Sequence, residues 1–367
     1  MKVDPIYIVL PPGEMFSKCN AGAVAIVIHS MCEKSIFNAQ ILGEDCREPF
    51  SDTVFHPIKP FLYRFRRRSR AYASSCSSFL RRQAPGIVEI HNRIPLFLSL
   101  EKKLKQHVYC LYLHNDPQGM KGAKSSHERQ VLIEKSAAIY VVSDYIKQRF
   151  MEGLSYGEHK IHVIHNGVAC DQKVAISLKR QHIIFVGRII PEKGVLEFAK
   201  ALNILLPRNP EWKAIFIGAR HFGNTEPTTA YEREVLFELK ALGQKVEYKN
   251  AIPHQEVMAN YEVADIAVVP SIWNEPFGRT ALEAMASHCA LVSSDRGGLA
   301  EVIPDTALII NPEDPSSIVT AVQKMIDEPW YRDELRQHAY NRVTRLFCQS
   351  KIVKQHDRIR QEVLPKN

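Results

Sequence analysis

The chain has 367 residues, 45% of them apolar and 24% charged, a balance that fits a globular protein of two ordinary domains and speaks against a disordered or fibrous one. No apolar run approaches the ~18 residues of a membrane span, and the eight cysteines are scattered with no CxxC pair, which argues against a disulfide framework or a zinc site and favours a reducing cytoplasm. The formal net charge of +8 is unevenly spread, because Lys59 to Lys105 holds twelve Lys or Arg against Glu89 and Glu101; such a region usually meets phosphate.

In chain order, MKVDPIYIVLPPGEMF reads as a first β-strand, Ile6–Leu10, and not as a signal peptide, since its apolar stretch is short and broken by prolines. CNAGAVA comes after it, where Gly22 would let backbone approach a ligand closely. The basic segment is next: YRFRRRSR, Tyr63 to Arg70, interleaves aromatics with arginines, and Arg81-Arg82 lie a helical segment further on. As a surface helix it would seat Phe61, Leu62 and Phe65 in a lipid interface with the arginines at anionic headgroups. Its plainer readings are a solvated face or a groove for a phosphorylated acceptor. RNA is disfavoured because no RNA-recognition motif accompanies it.

Four apolar runs then read as strands: Ile87–His91, Val108–His114, Ile139–Ser143 and Ile161–His165. LYLHNDP ends one of them with His114, and VEIHNR ends another with His91, a second candidate. A lone histidine at a strand end is more often structural, but in a sheet of this kind it projects toward the ligand side. The polar stretch between Gly167 and Arg180 reads as the domain break. Beyond it come His182–Gly187, Lys213–Gly218, Val246–Tyr248, Ile266–Ser271, Ala290–Ser294 and Ala307–Asn311, with helical segments such as Val195–Leu206, Gln255–Val263 and Pro315–Asp327 between them. Continuous apolar strands alternating with helices indicate parallel sheets covered on both faces, hence doubly wound α/β domains.

Two segments in the second half carry chemistry. FVGRIIPEKG ends a strand and opens a helix, which places Arg188 and Lys193 where a phosphate would lie. NEPFGRTALEA puts Glu275 just before a second helix and Glu283 two turns into it. As a mere N-terminal helix charge, Glu275 would be worth only ~0.3–1 kcal/mol. Two anion-receptive helix starts on one sheet favour a ligand site. Glu275 would accept sugar hydroxyls there, while the backbone of Phe277 and Gly278 faces phosphate. Other signals are missing: GxxxxGK[ST], GxGxxG after the first strand, GxSxG, and any D-x-D to bridge a metal to a diphosphate.

These residues resemble the retaining GT-B glycosyltransferases of family four, the glycosyl transferases group 1. The resemblance is strongest from His182 to Val302: FVGRIIPEKG is similar to the family's donor-phosphate segment, ADIAVVPSIWNEPFGRTALEAMA to its E-x7-E segment, and SSDRGGLAEVI to the segment next after that. VSDYIKQRF and VIHNGVA, with Asn166, are similar to the end of its N-terminal domain, and the first ~80 residues match weakly. The resemblance implies two Rossmann-like domains facing across a cleft: 1–170 for the acceptor, 171–345 for the nucleotide sugar, and a C-terminal helix, 346–367, packing back on the first. It implies that Arg188 and Lys193 neutralise the leaving diphosphate, Glu275 binds donor-sugar hydroxyls and Glu283 the ribose. Gly278 and Thr280 would lie at the diphosphate, Arg279 and Asn166 would bind substrate, Gly22 would approach the diphosphate from the opposite domain, His114 would sit near the reacting carbon, and backbone around Asn250–Ile252 would read the base. Against the family pattern, His288 and Ala290 stand where Gly and Pro are usual, Asn250 where Gly is usual, and Ala21-Gly22 where two glycines are usual.

The resulting expectation is a cytoplasmic, metal-independent, retaining glycosyltransferase with no cofactor beyond its donor, a UDP- or GDP-sugar. Its acceptor would be a bacterial glycan or glycolipid hydroxyl, with lipopolysaccharide core favoured. It would touch the inner face of the cytoplasmic membrane through the Arg64–Arg82 region and bind no nucleic acid. The rivals are a small-molecule glycosyltransferase of the sucrose or trehalose type and a non-catalytic sugar-nucleotide binding module. Lys193 is expected to lie exposed in the cleft and to matter little for stability.

Overall fold

A computed structural model describes residues 5–59, 68–170, 179–220 and 226–364. The chain forms two compact units, residues 1–167 together with 349–367, and residues 168–348.

The first unit runs β1 (Ile6–Val9), α1 (Ala23–Lys34), β2 (Gln40–Glu44), β3 (Val54–Ile58), α2 (Arg68–Leu80), β4 (Ile87–His91), α3 (Ile94–Lys103), β5 (Val108–Leu113), α4 (Ser126–Lys135), β6 (Ala138–Val141), α5 (Asp144–Met151) and β7 (Ile161–Val163). Its seven strands are all parallel, in the order β3-β2-β1-β4-β5-β6-β7. The second unit runs β8 (His182–Val186), α6 (Val195–Arg208), β9 (Lys213–Ile217), α7 (Ala230–Ala241), β10 (Val246–Lys249), α8 (His254–Val263), β11 (Ile266–Val269), α9 (Arg279–Ala286), β12 (Ala290–Ser293), α10 (Leu299–Val302), β13 (Ala307–Ile309), α11 (Pro315–Asp327) and α12 (Pro329–Leu346). Its six parallel strands take the order β10-β9-β8-β11-β12-β13. The last helix, α13 (Gln349–Val363), returns to the first unit and packs beside α1.

Each sheet reverses its strand order once, between β1 and β4 in the first and between β8 and β11 in the second. That is the doubly wound Rossmann arrangement, in which the crevice at the switch point is the ligand-binding position. Buried Val, Ile, Leu and Phe fill both faces of the central strands, and the second unit's core gathers Phe185, Phe198, Trp212 and Phe216. Among the described residues no helix is long and apolar enough to cross a membrane. Strands β2 and β3, which the sequence pattern did not suggest, extend the first sheet on its β1 side. β3 is the edge strand; it carries Pro57 and is half-exposed, so it lacks the apolar run of a central strand.

A buried ionic network ties α13 into the first unit. Arg360 of α13 donates to both carboxylate oxygens of Glu89 on β4, at 2.8 and 2.7 Å, and to Asp357 at 3.0 Å. Asp357 in turn accepts from Ser35 Oγ at 2.8 Å and the Ile36 N–H at 2.9 Å. Burial pushes the Glu89 carboxyl up, but Arg360 and His356 outweigh it and hold the group well below the usual carboxylate range. Of the basic Arg64–Arg82 segment, positions 64–67 lie outside the described residues, as do Phe61, Leu62 and Tyr63. Arg68 pairs with Glu44, while Arg70, Arg81 and Arg82 are exposed.

Candidate active site

At the switch point of the second sheet the loop after β8 meets the loop after β11. Gly194 adopts φ +62 and leads directly into α6; a Cβ there would lie 1.9 Å from the Pro270 carbonyl oxygen, so only glycine allows this approach. Gly278, at φ +108, performs the same turn into α9. Neither helix carries a side-chain cap, whereas α4, α5, α7 and α11 are capped by Ser125, Ser143, Thr229 and Asp314. Both helix starts at the switch point lack a side-chain cap, as do those of α3, α8, α10 and α12, and each is compatible with an anion.

The structure joins Lys193 and Glu275. The ammonium forms a direct ion pair with Glu275 Oε1, and Ser271 Oγ donates to the same oxygen. The main chain of Glu275 is held on both sides: its N–H donates to Arg296 O at 3.2 Å, and its carbonyl accepts from Gly298 N at 2.7 Å. Burial raises the Glu275 carboxyl, but Lys193 and Ser271 more than offset this, and it stays ionised below the ordinary range. Trp273 stands beside the pair, its ring 5.4 Å from Lys193 Nζ. Its Nε1 is buried without a hydrogen-bond partner of ordinary geometry, yet lies close enough to favour the ionised Glu275. The indole N–H therefore faces the Glu275 carboxylate. Lys193 itself is only 18% exposed at its side chain. The expectation of an exposed lysine of little consequence for stability is therefore corrected, because its removal would strand a buried carboxylate.

Glu283, on α9, is a second buried carboxylate. It accepts from Arg279 at 2.6 Å and lies 3.0 Å from His254 Nε2. Burial alone would raise its carboxyl, but Arg279 and His254 bring it down to about 2. A folded-state value below the unfolded 4.5 contributes stability that is present above pH 4.5 and lost as pH falls toward about 2. Glu283→Gln is thus expected to melt below wild type at pH 7, with the gap closing between pH 4.5 and about 2. Thermal melts across that window check it; a gap independent of pH would contradict the assignment.

The remaining expected residues separate into groups. Phe277 is buried against Phe347, and Thr280 is half-buried on the first turn of α9. Arg188 is exposed at the β8 tip, with no ion pair among the described residues. Asn250 accepts from Tyr248 at 3.2 Å beside a depression also lined by Ile189, Ala219 and Glu232. Ile252 stands two residues before His254. His288 takes φ +54 and stacks on Tyr340 with centroids 3.7 Å apart. Gly22, His114 and Asn166 belong to the first unit. Gly22 does not offer open backbone: the Glu14 carboxylate lies over it, where a Cβ would come within 2.4 Å, and accepts from Ala25 N at 2.9 Å. The start of α1 is thus met by an acid side chain of the same unit. Asn166 is buried, and its Oδ1 has no hydrogen-bond partner among the described residues. Sequence reasoning missed Ser271 and Trp273, which lie four and two residues before Glu275, and His254, which reaches Glu283 across 29 residues.

The sequence profile of the glycosyl transferases group 1 matches residues 170–342, and that of glycosyltransferase family 4 matches residues 37–172. YtcC of Bacillus subtilis, named as a glycosyltransferase, is 26% identical over 323 residues, 81% of this chain and 77% of its own length. Sucrose-phosphate synthase from Thermosynechococcus elongatus superposes with a TM-score of 0.79 at 17% identity, covering 98% of this chain and 99% of that one. HepE of Anabaena, solved with UDP and glucose, superposes with a TM-score of 0.75 at 14% identity, covering 96% and 98%.

Proposed function

We propose that this glycosyltransferase moves a hexose-type sugar from a nucleotide diphosphate sugar to a hydroxyl of a bacterial glycan or glycolipid, without a metal and with retention of the donor's anomeric configuration. The observation that carries the reading is the buried Glu275–Lys193 pair set between two uncapped helix starts. In this reading Lys193 and Arg188 oppose the charge that develops on the departing diphosphate. The start of α9, from Phe277 to Thr280, holds the phosphates. Glu275 accepts hydroxyls of the transferred sugar, Glu283 those of the ribose, and backbone near Ile252 meets the base. Two cationic side chains substitute for a bridging metal, consistent with a sequence that carries no D-x-D.

The test is turnover of UDP- and GDP-sugars in the presence of EDTA, with the product's anomeric signal read by NMR. Activity is expected to survive the chelator, and the new bond to keep the donor's configuration. A strict need for Mg²⁺ or Mn²⁺, or an inverted product, would overturn the reading.

A lipopolysaccharide-core or similar anionic glycolipid acceptor fits the local excess of basic residues between Lys59 and Lys105. Each Lys or Arg near an anionic leaflet contributes ~1 kcal/mol, so a few suffice for reversible attachment. The protein is expected to cosediment with anionic vesicles and not with neutral ones. Equal recovery from both would remove the membrane and favour a small soluble acceptor.

A further inference from the structure

Helix α1 carries His29 and Glu33 one turn apart, so their side chains share a face. The connection from β2 to β3, residues 45–53, brings Asp52 to that face. Because β2 and β3 are parallel, this stretch must return the chain along the sheet. Such a crossover usually takes a dozen or more residues and a helix; this one is shorter and has no helix. Asp52 Oδ1 and Oδ2 lie 2.9 and 3.0 Å from His29 Nε2. One ligand atom from each of His29, Glu33 and Asp52 lies within 4.8 Å of the other two.

The imidazole is held in place by an aromatic wall. It stacks on Phe50, with centroids 3.8 Å and planes 15° apart, and Phe16 meets it edge-on at 6.1 Å. The Phe50 N–H donates to Phe16 O at 3.4 Å, and Ser17 bridges Pro49. The wall is therefore built from the crossover and the segment ahead of α1. The other side is open: the His29 side chain is 17% exposed and that of Asp52 48%, which leaves a path for an ion and room for water ligands. Among the described residues no hydrogen bond or ion pair engages the exposed Glu33 carboxylate.

We propose that His29, Glu33 and Asp52 bind one divalent transition-metal ion of the zinc type, which staples the β2–β3 crossover to α1. An imidazole nitrogen and a carboxylate oxygen on one tetrahedral Zn²⁺ stand about 3.3–3.4 Å apart. The His29–Asp52 spacing needs to open by only a few tenths of an ångström, and rotation of Glu33 closes the third side. Two carboxylates match the ion's double charge. The imidazole selects a borderline ion over Mg²⁺ and Ca²⁺, which take oxygen ligands. The scattered cysteines exclude a thiolate site and do not bear on this one. The ion is a clip on the fold, and the metal-free transfer chemistry proposed above stands as it is.

The experiment titrates the EDTA-treated, desalted full-length protein with Zn²⁺ by calorimetry, and follows melting and hydrogen exchange with and without the ion. Wild type is expected to show a saturable one-to-one phase, a raised melting transition and slower exchange across residues 45–53. A plain His29–Asp52 ion pair has no need of Glu33, so Glu33→Gln separates the two accounts. It breaks no contact of the metal-free fold and is expected to melt like wild type without Zn²⁺. Even outer-shell partners of a metal are typically worth about 10- to 100-fold in affinity, so loss of this ligand is expected to weaken Zn²⁺ binding by at least about tenfold. His29→Gln and Asp52→Asn are expected to lose the one-to-one phase, and Cys19→Ser, a control for the exposed thiol, to keep it. Wild-type affinity in Glu33→Gln, no saturable phase in wild type, a loss confined to Cys19→Ser, or an equal rise in melting with Mg²⁺ or Ca²⁺ would each overturn the proposal.

Discussion

Lys193→Ala is expected to lower kcat/KM by about a thousandfold, the scale on which a single preorganised charge at a developing oxyanion acts. It is also expected to lower the melting temperature, because Glu275, 6% exposed, loses its ammonium partner. Removing one member of a buried pair typically costs ~3–5 kcal/mol, most of it the stranded charge. The two effects separate in Lys193→Ala combined with Glu275→Gln. Neutralising the carboxylate should recover much of the stability and none of the activity. Melts with and without UDP, alongside steady-state kinetics, supply the measurement. A folded Lys193→Ala enzyme that turns over near the wild-type rate would show that the diphosphate lies elsewhere.

Arg360→Ala is expected to produce the largest loss of stability in the first unit. Glu89 is fully buried and takes two hydrogen bonds from the guanidinium, and Asp357 takes a third. Truncation strands Glu89 with only His356 beside it, while Asp357 keeps Ser35 and the Ile36 N–H; breaking such a buried pair costs ~3–5 kcal/mol, which for a unit of this size is roughly 6–20 °C in its transition. Because two units need not melt together, the loss should be tracked by hydrogen exchange in β4 and α13. Replacing both partners, as in Glu89→Leu with Arg360→Met, should be far milder than the single change, since an apolar pair strands no charge. A single variant with unaltered protection in β4 would refute the account.

The contrast between these two pairs shows what the sequence can carry. Every run of β-branched residues read as a strand is one, because a parallel strand buried on both faces writes itself as a continuous apolar segment. β2 and β3 escaped for the opposite reason: QILGE is interrupted by Gly43, and VFHPI sits half-exposed at an edge with a proline inside it. Lys193 and Glu275 stand out locally, since each lies between a strand and a helix; that they bond to one another is a tertiary fact. Nothing local marks Glu89, an acid inside the apolar run IVEIH, as one half of an ion pair whose other half lies 271 residues away. Charges that are buried and satisfied over such separations look, in sequence, like surface residues.

The return of α13 to the first unit has a consequence for how the protein is made. The ribosome emits the seven strands of that unit first, yet the helix that supplies Arg360 to Glu89 emerges only after the whole of residues 168–348. At 5–20 residues per second that interval is about ten to forty seconds. Throughout it, Glu89 lies on a central strand with no guanidinium to neutralise it. The second unit, contiguous in the chain, can complete its fold during the wait, so the part translated first is the part finished last. A nascent chain stalled before Gln349 would carry one closed unit and one left open at its core, a natural substrate for a chaperone until the final fifteen-residue helix docks.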